Sequence, residues 1–151
     1  MLSRACEYGV KAVICLTIAS REDRIKSIGD ISRNIQTPEA FTAKVLQKLV
    51  RAGLVNSIKG KNGGFYINKE KAENLKLWDV VQIIDGDDLR YRCLLGLSNC
   101  SNAKPCPVHE SYKTIREDLV RFLKRTEIKI LSDRVIRGES ILKIETILRT
   151  N

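Results

Sequence analysis

Residues 37–67 read TPEAFTAKVLQKLVRAGLVNSIKGKNGGFYI, and this stretch decides the fold. Its first half predicts an amphipathic helix in which Thr37 caps the free amides, Pro38 takes the first helical position and Gly53 ends the helix. Its second half predicts two strands, residues 54–59 and 65–67, joined by a tight glycine-rich turn. The buried face of the helix is expected to consist of Phe41, Val45, Leu46 and Leu49.

A shorter helix is predicted immediately before this stretch. Ser27 is a suitable N-cap with Asp30 as its capping-box partner, and the helix is expected to end near Gln36. Two short helices joined by a tight turn form a helix-turn-helix, and a basic hairpin directly after them is a wing. The predicted fold class is therefore mainly α with a small β-wing. The apolar face of the shorter helix comprises Ile28, Ile31 and Ile35.

The charge of the chain is strongly unbalanced towards basic residues. There are 27 Lys and Arg against 18 Asp and Glu, a net charge of +9, which favours a polyanionic partner such as nucleic acid. Residues 1–76 hold 14 basic and 7 acidic side chains, and residues 40–69 contain no Asp or Glu at all. An unbroken basic stretch over the second helix and the wing is what contact with DNA phosphates requires, so this segment is predicted to bind DNA.

The outward face of the second helix supplies the candidate DNA contacts. Lys44 and Gln47 can hydrogen-bond to base edges in the major groove, and the alanines beside them can touch a thymine methyl group. Thr42 and Lys48 are expected to contact the DNA backbone, while the wing lysines reach a phosphate or the minor groove. The candidate set is Glu39, Ala40, Thr42, Ala43, Lys44, Gln47, Lys48, Lys59 and Lys61.

A second candidate site lies in residues 93–109, which read CLLGLSNCSNAKPCPVH. Three of the five cysteines and the only histidine fall in this aperiodic loop, and thiolates with imidazole select zinc, copper(I) or iron-sulfur clusters. No C-x2-C or C-x4-C pair of the kind typical of zinc sites occurs, so the wide spacing favours a cluster over a lone zinc ion. The alternative is three unrelated thiols and a surface histidine. The candidate ligands are Cys93, Cys100, Cys106 and His109.

The rest of the chain is predicted to be helical around these two sites. A first helix spans Arg4 to Ser20, with Cys6 and Cys15 on its apolar side as core residues. A compact helix over residues 77–84 carries Trp78 as a core or interface anchor. Residues 126–151 predict two short helices broken near residue 138, to which no function is assigned.

A long amphipathic helix is predicted to follow the cysteine loop and to end near Arg125. Its single apolar stripe is expected to pair with a second copy about a two-fold axis, which would place two recognition helices about one DNA turn apart on a palindromic site. The alternative is that the helix folds back on its own domain. The predicted organisation is a winged helix-turn-helix domain (residues 1–84), a cluster-binding loop (85–109), and a dimerisation helix with a helical tail (110–151).

Several classes of protein are excluded or disfavoured by composition. The first twenty residues carry charges inside their apolar pattern, unlike a signal peptide, and no apolar run approaches a membrane span. A cytoplasmic protein is therefore expected, whose cysteines act as ligands or thiols and not as disulfides. An enzyme is not expected, because only one histidine is available as a base and no phosphate-binding glycine loop or paired carboxylate motif is present.

Taken in order, the motifs resemble the Rrf family of winged-helix regulators, which includes IscR, NsrR and RirA. The resemblance covers about residues 1–135 and is carried by IGDIS, KVLQKLVRAGLV, the wing KGKNGGF, LWDVVQIIDG and the three-cysteine loop before a long helix. It implies a homodimeric transcription factor that binds double-stranded DNA and senses redox, nitric oxide or iron status through an iron-sulfur cluster. The 2Fe-2S form is favoured, and 4Fe-4S is possible.

The resemblance leaves the fourth cluster ligand open. Cys93, Cys100 and Cys106 match the three family cysteines, and His109 matches the histidine that completes a 2Fe-2S site in the IscR branch. In some relatives a carboxylate near the start of the first helix of the partner subunit takes that role, and Glu7 stands at the matching position. A zinc-based or thiol-based repressor without a cluster remains the alternative function, and an iron-sulfur enzyme or assembly scaffold is the third.

Overall fold

Eight helices and one hairpin make up the part of the chain that the computed structural model describes, residues 2–98 and 100–142. The fold is mainly α with a two-stranded wing, as predicted. The helices are α1 Arg4–Ser20, α2 Ile28–Ile35, α3 Glu39–Arg51, α4 Lys69–Asn74, α5 Leu77–Asp85, α6 Asp88–Tyr91, α7 His109–Arg125 and α8 Ile128–Ile136. The strands are β1 Asn56–Ile58 and β2 Gly64–Tyr66. Helices α4 and α6 were not predicted.

The helix-turn-helix consists of α2 and α3, and its first cap is confirmed. The Ser27 hydroxyl accepts a hydrogen bond from the Asp30 amide at 3.1 Å, and α2 ends at Gln36 in the left-handed region. The predicted cap of α3 is wrong, because Pro38 is the N-cap and no side chain caps this helix. The Thr37 hydroxyl lies instead 2.6 Å from the hydroxyl of Thr42, which donates to the Pro38 carbonyl at 2.8 Å.

Replacing Thr42 with valine tests this buried hydroxyl pair. The variant keeps the shape of the side chain but leaves the buried Thr37 hydroxyl without its partner, so we expect a loss of about 1–2 kcal/mol in the free energy of unfolding. Urea unfolding measures the change. The double variant Thr37→Val/Thr42→Val removes both hydroxyls and should recover part of the loss, whereas additive losses would contradict a hydrogen bond between them.

The wing is an antiparallel hairpin in which Ser57 lies opposite Phe65. On the other side of β2, the Lys26 amide donates to the Phe65 carbonyl at 2.9 Å and the Phe65 amide donates to the Lys26 carbonyl at 2.8 Å. A Cβ added at Gly63 would lie 2.0 Å from the Ile58 carbonyl oxygen, so the turn requires glycine there. Strand β1 is shorter than predicted because Leu54 and Val55 are buried in the core before the hairpin begins, whereas β2 has the predicted length and begins one residue earlier.

Helix α1 is the centre of the core and packs against α2, α3, α5 and α8. At Gly9 an added Cβ would lie 2.2 Å from the Ile84 side chain, so glycine allows the close approach of α5. Cys6 and Cys15 are buried on α1 as predicted. Burial, with the Asp85 carboxylate as a smaller cause, raises the pKa of Cys6 to about 12, and burial also raises the pKa of Cys15. Both are therefore neutral core thiols at physiological pH.

The helices after the cysteine loop fold back on the winged domain only in part. Helix α7 packs against α5 and α6, and α8 packs against α1 and α4, so residues 128–136 share the core of the first predicted domain. Ile115 and Phe122 on α7 nevertheless remain 63% and 56% exposed. Phe41, predicted to be buried, is 39% exposed beside the Tyr8 ring. Most of the second predicted tail helix, residues 143–151, lies outside the described residues.

Candidate functional site

The outward face of α3 and the wing present most of the predicted DNA contacts to solvent. Lys44 and Gln47 are exposed on α3, and Ala43, which precedes Lys44, is half-buried. A groove of about 730 Å³ separates Gln47 from the wing lysines, and no carboxylate lines it. The predicted residues that lie exposed are Glu39, Ala40, Lys44, Gln47, Lys48, Lys59 and Lys61.

Several side chains that line this groove were not in the predicted set, among them Arg51 and Ser57. Arg51, one helical turn after Gln47, and Ser57 on β1 both line the groove beside Lys59 and Lys61. Arg51 was recognisable from the acid-free basic run, because its position four residues after Gln47 puts it on the same helical face. Ser57 carried no such signal, because its proximity depends on how the hairpin packs beside α3.

Two of the predicted backbone contacts, Thr42 and Lys48, form hydrogen bonds within the protein. Thr42 is 0% exposed, so the prediction that its hydroxyl is available to DNA is wrong. Helical periodicity did not predict the burial of Thr42, because a threonine hydroxyl can be buried when other hydroxyl and carbonyl groups form hydrogen bonds with it. Lys48 donates from Nζ to the Ile84 carbonyl at the end of α5, at 2.7 Å. Its ammonium thus ties α3 to α5.

A Lys48→Met variant distinguishes this tether from a phosphate contact. Methionine keeps the apolar stem and removes the charged donor, so we expect the salt dependence of DNA binding to stay unchanged while thermal stability falls modestly. The slope of log K against log salt, measured by fluorescence anisotropy, reports the number of phosphates neutralised. A slope smaller by about one would instead identify Lys48 as a phosphate ligand.

The cysteine loop brings its four predicted ligands together as two pairs. The sulfurs of Cys93 and Cys106 lie 3.9 Å apart, and the Cys100 sulfur lies 3.3 Å from Nδ1 of His109. Cys93 and His109 are buried, whereas Cys100 and Cys106 are half-buried. Within residues 2–98 and 100–142, no three histidine, cysteine or carboxylate side chains form a single metal-binding group.

The first turn of the loop points backbone N–H groups at Cys93. The amide of Leu97 is the main group that lowers the pKa of the Cys93 thiol below its usual range. The amide of Leu95, the Cys106 thiol and the amide of Gly96 lower this pKa further. Hydrogen bonds of this kind stabilise a thiolate and tune the sulfur ligands of clusters. These hydrogen bonds therefore favour the thiolate form of Cys93, which burial alone would disfavour.

Asn102 fixes the orientation of His109 at the start of α7. Its Oδ1 accepts a hydrogen bond from Nε2 of the imidazole at 2.8 Å. In the neutral ring the proton then resides on Nε2, so the lone pair of Nδ1 faces Cys100. A metal-binding histidine usually has its second nitrogen held in this way. Asn102 was not predicted, because a lone asparagine in a loop carries no distinguishing sequence signal.

A chain of contacts joins the cysteine loop to the recognition helix. Arg116 of α7 is buried and donates from Nη1 to the carbonyl of Arg92, the residue before Cys93, at 3.1 Å. The Trp78 ring of α5 lies beneath the cations of Arg90 and Lys124, at 5.0 and 5.5 Å. Lys48 ties α5 to α3 and completes this chain of contacts.

The sequence match decides the family. Residues 2–134 match the Rrf2 family, described as iron-dependent transcriptional regulators. The chain belongs to the Rrf2 family. This Rrf2-family protein is 35% identical over 124 residues to an HTH-type transcriptional regulator of Aquifex aeolicus, a match that covers 80% of this chain and 85% of the relative. The protein is therefore a transcriptional regulator with a DNA-binding winged helix.

Solved structures of related proteins have the same fold. CymR, the global cysteine regulator of B. subtilis, superposes with a TM-score of 0.71 at 21% identity, covering 88% of this chain and 96% of CymR. IscR of T. potens superposes with a TM-score of 0.67 at 19% identity, covering 88% and 87% of the two chains. These likenesses establish the winged-helix fold of this Rrf2-family chain.

Among the described helices, none combines the length and the apolar character that a membrane span requires.

Proposed function

We propose that this Rrf2-family regulator is a cytoplasmic homodimer that binds a palindromic DNA operator and senses redox, nitric oxide or iron status through an iron-sulfur cluster. The observation that carries the proposal is the paired arrangement of soft donors in one loop, Cys93 with Cys106 and Cys100 with His109. Two such pairs suit a 2Fe-2S cluster, in which each iron takes two protein ligands. A 4Fe-4S cluster, with Glu7 of the partner subunit as an alternative fourth ligand, is the variant of this proposal.

The donor set fits the proposed group chemically. Three thiols and one imidazole are ligands for iron-sulfur chemistry, and the amides directed at Cys93 match the hydrogen bonding that such sulfurs receive. When bound, the cluster would supply a centre that reacts with oxidants and nitric oxide. The chain itself would hold His109 through Asn102 so that Nδ1 is directed at the metal.

The proposed transmission to DNA uses residues of α7. His109 is the first residue of α7, and Arg116 on the same helix holds the loop at Arg92, so the loop and the helix move together. Exposed Ile115 and Phe122 on α7 supply the apolar surface for a second copy. A rotation of α7 in that dimer would change the spacing of the two α3 helices and with it the affinity for a two-fold operator.

Analysis of anaerobically purified protein tests this proposal. We expect iron and sulfide in a ratio near one, visible absorbance, and an operator affinity that differs between holo, oxidised and apo protein at one fixed salt concentration. The operator would be selected from a random duplex pool. A stoichiometric content of zinc without sulfide, or identical affinities for the three forms, would contradict the cluster-sensing role. A Glu7→Ala variant separates the two candidate fourth ligands, because only the partner-ligand form should lose cluster stability.

A thiol switch is the second candidate, favoured by the 3.9 Å distance between the sulfurs of Cys93 and Cys106. Formation of a disulfide needs these sulfurs to approach to about 2 Å, a small movement for a loop. The two thiols would lose two protons and two electrons to a peroxide, which would be reduced to water or an alcohol. Mass spectrometry of metal-free protein after peroxide treatment distinguishes the candidates: a reversible Cys93–Cys106 disulfide that alters DNA affinity supports the switch.

A further inference from the structure

A cavity of about 450 Å³ is enclosed by three parts of the chain that do not include the cysteine loop. These parts are the C-terminal half of α1, helix α2 with the residues before it, and α8 with the segment that follows it. Its volume is within the range of small-molecule sites. Its apolar walls include Ile18 and Ala19 of α1 and Val135 of α8. The remaining lining residues are Cys15, Arg24, Lys26, Asn34, Gly138, Ser140, Ile141 and Leu142.

The charged side chains that line the described part of this cavity are cationic. Among the described residues that line it, Arg24 and Lys26 are the only cations, and none carries a carboxylate. Glu22 lies outside the lining and pairs with Nε of Arg24 at 2.8 Å, while a guanidinium offers five N–H donors. Lys26 donates from Nζ to Asn34 Oδ1 at 3.1 Å, and no carboxylate pairs with it in the described part of the chain. The cavity thus combines an apolar interior with a cationic rim.

We propose that this cavity binds a small amphipathic monocarboxylate, with the carboxylate between Arg24 and Lys26 and the hydrocarbon tail against Ile18, Ala19 and Val135. A carboxylate is the complement of a guanidinium and an ammonium, since charge-assisted hydrogen bonds to it are the strong ones. The burial of a chain of methylene groups against the apolar walls adds to the affinity. Neither a cation nor a short polar anion satisfies both halves of the site.

The cavity also borders α2 of the helix-turn-helix and lies next to the wing. Lys26 pairs through its backbone with Phe65 in the wing, and its ammonium holds Asn34 of α2. A ligand carboxylate that draws the Lys26 ammonium away from Asn34 would alter the seating of α2 and the wing. The site is therefore assigned as an effector site, and this regulatory part rests on the proposed DNA-binding function.

Isothermal titration of the full-length chain with octanoate tests the site at constant ionic strength. We expect saturable binding of about one octanoate per chain, and no saturable binding of acetate or octylammonium over the same concentration range. Arg24→Glu should weaken octanoate binding by about tenfold or more, because it reverses one of the two rim charges. Arg121→Glu is the matched control, since Arg121 has the same 55% side-chain exposure and lies on α7 away from the cavity.

Three outcomes would overturn the binding site: no saturable binding to the full chain, equal binding of octylammonium, or an equal loss in the Arg24→Glu and Arg121→Glu variants. The regulatory part is tested separately by operator affinity with and without saturating octanoate. We expect a severalfold change for the unaltered protein and none for Arg24→Glu. An unchanged affinity for the unaltered protein would overturn the effector role, and failure to bind any DNA would refute the proposed function without affecting the calorimetric result.

Discussion

Protein that carries Cys100→Ala is expected to be colourless when purified anaerobically, with iron and sulfide reduced to background. Cys100 pairs with Nδ1 of His109 at 3.3 Å, so its loss removes one of the two donor pairs and leaves the histidine without its neighbour. Because a cluster needs all of its protein ligands, the expected effect is near-complete loss and not partial weakening. Ultraviolet-visible absorbance with iron and sulfide analysis measures it.

Cys15→Ala is the control for this experiment. Cys15 is a buried thiol on α1 whose pKa is raised by burial, so it is not expected to bind iron. Its removal shows whether the loss of any cysteine sulfur is enough to lower the absorbance. We expect normal absorbance from the Cys15→Ala protein. If Cys100→Ala protein retained its absorbance, or if both variants lost it equally, the assignment of the loop as the cluster site would be refuted.

The triple variant Lys44→Ala/Lys59→Ala/Lys61→Ala is expected to bind its operator roughly a hundredfold more weakly at about 0.15 M salt. The three ammonium groups are exposed on α3 and the wing, and Lys59 and Lys61 line a groove to which no described residue contributes a carboxylate. Each phosphate contact contributes about 0.9 to the slope of log K against log salt, so the slope should also fall by nearly three. Fluorescence anisotropy over a series of salt concentrations measures both quantities.

The matched control removes three exposed basic side chains outside the groove, in the variant Arg121→Ala/Arg125→Ala/Arg134→Ala. It changes the net charge of the chain by the same amount but should leave the salt slope almost unchanged. Equal losses in the two triple variants would mean that affinity follows overall charge and not the wing and α3. Circular dichroism of both variants checks that each is folded.

The helices and their caps followed largely from local signals in the chain. Helix α1 has the predicted bounds, and Ser27 caps α2 through its hydroxyl as expected. Such features depend on residues that are near one another in sequence, so periodicity and capping chemistry suffice to predict them. The cap of α3 failed because Thr37 and Thr42 formed a buried hydroxyl pair, an arrangement that helical periodicity does not report.

The candidate sites were predicted by residue type but not by geometry. The sequence indicated soft ligands at Cys93, Cys100, Cys106 and His109, yet not that they lie as two pairs. The roles of Asn102, Arg116 and Lys48 depend on contacts formed after the chain folds. The ammonium of Lys48, predicted to contact DNA, also donates to the end of α5. A polar side chain can serve solvent, DNA or the protein interior, and its identity alone does not distinguish these.

The sequence by itself determined that this protein is a winged helix-turn-helix regulator with a basic second helix and wing and a cysteine loop. Apolar periodicity, capping residues and charge are local properties of the chain, so they can be recognised without the structure. Only the tertiary structure decided which side chains meet. It paired the loop donors, buried the hydroxyl of Thr42, joined α3 to α5 through Lys48 and formed a cation-rimmed cavity beside α1. The physical reason is that these arrangements depend on the packing of elements distant in sequence, where burial and partner availability, and not spacing, determine what each polar group contacts.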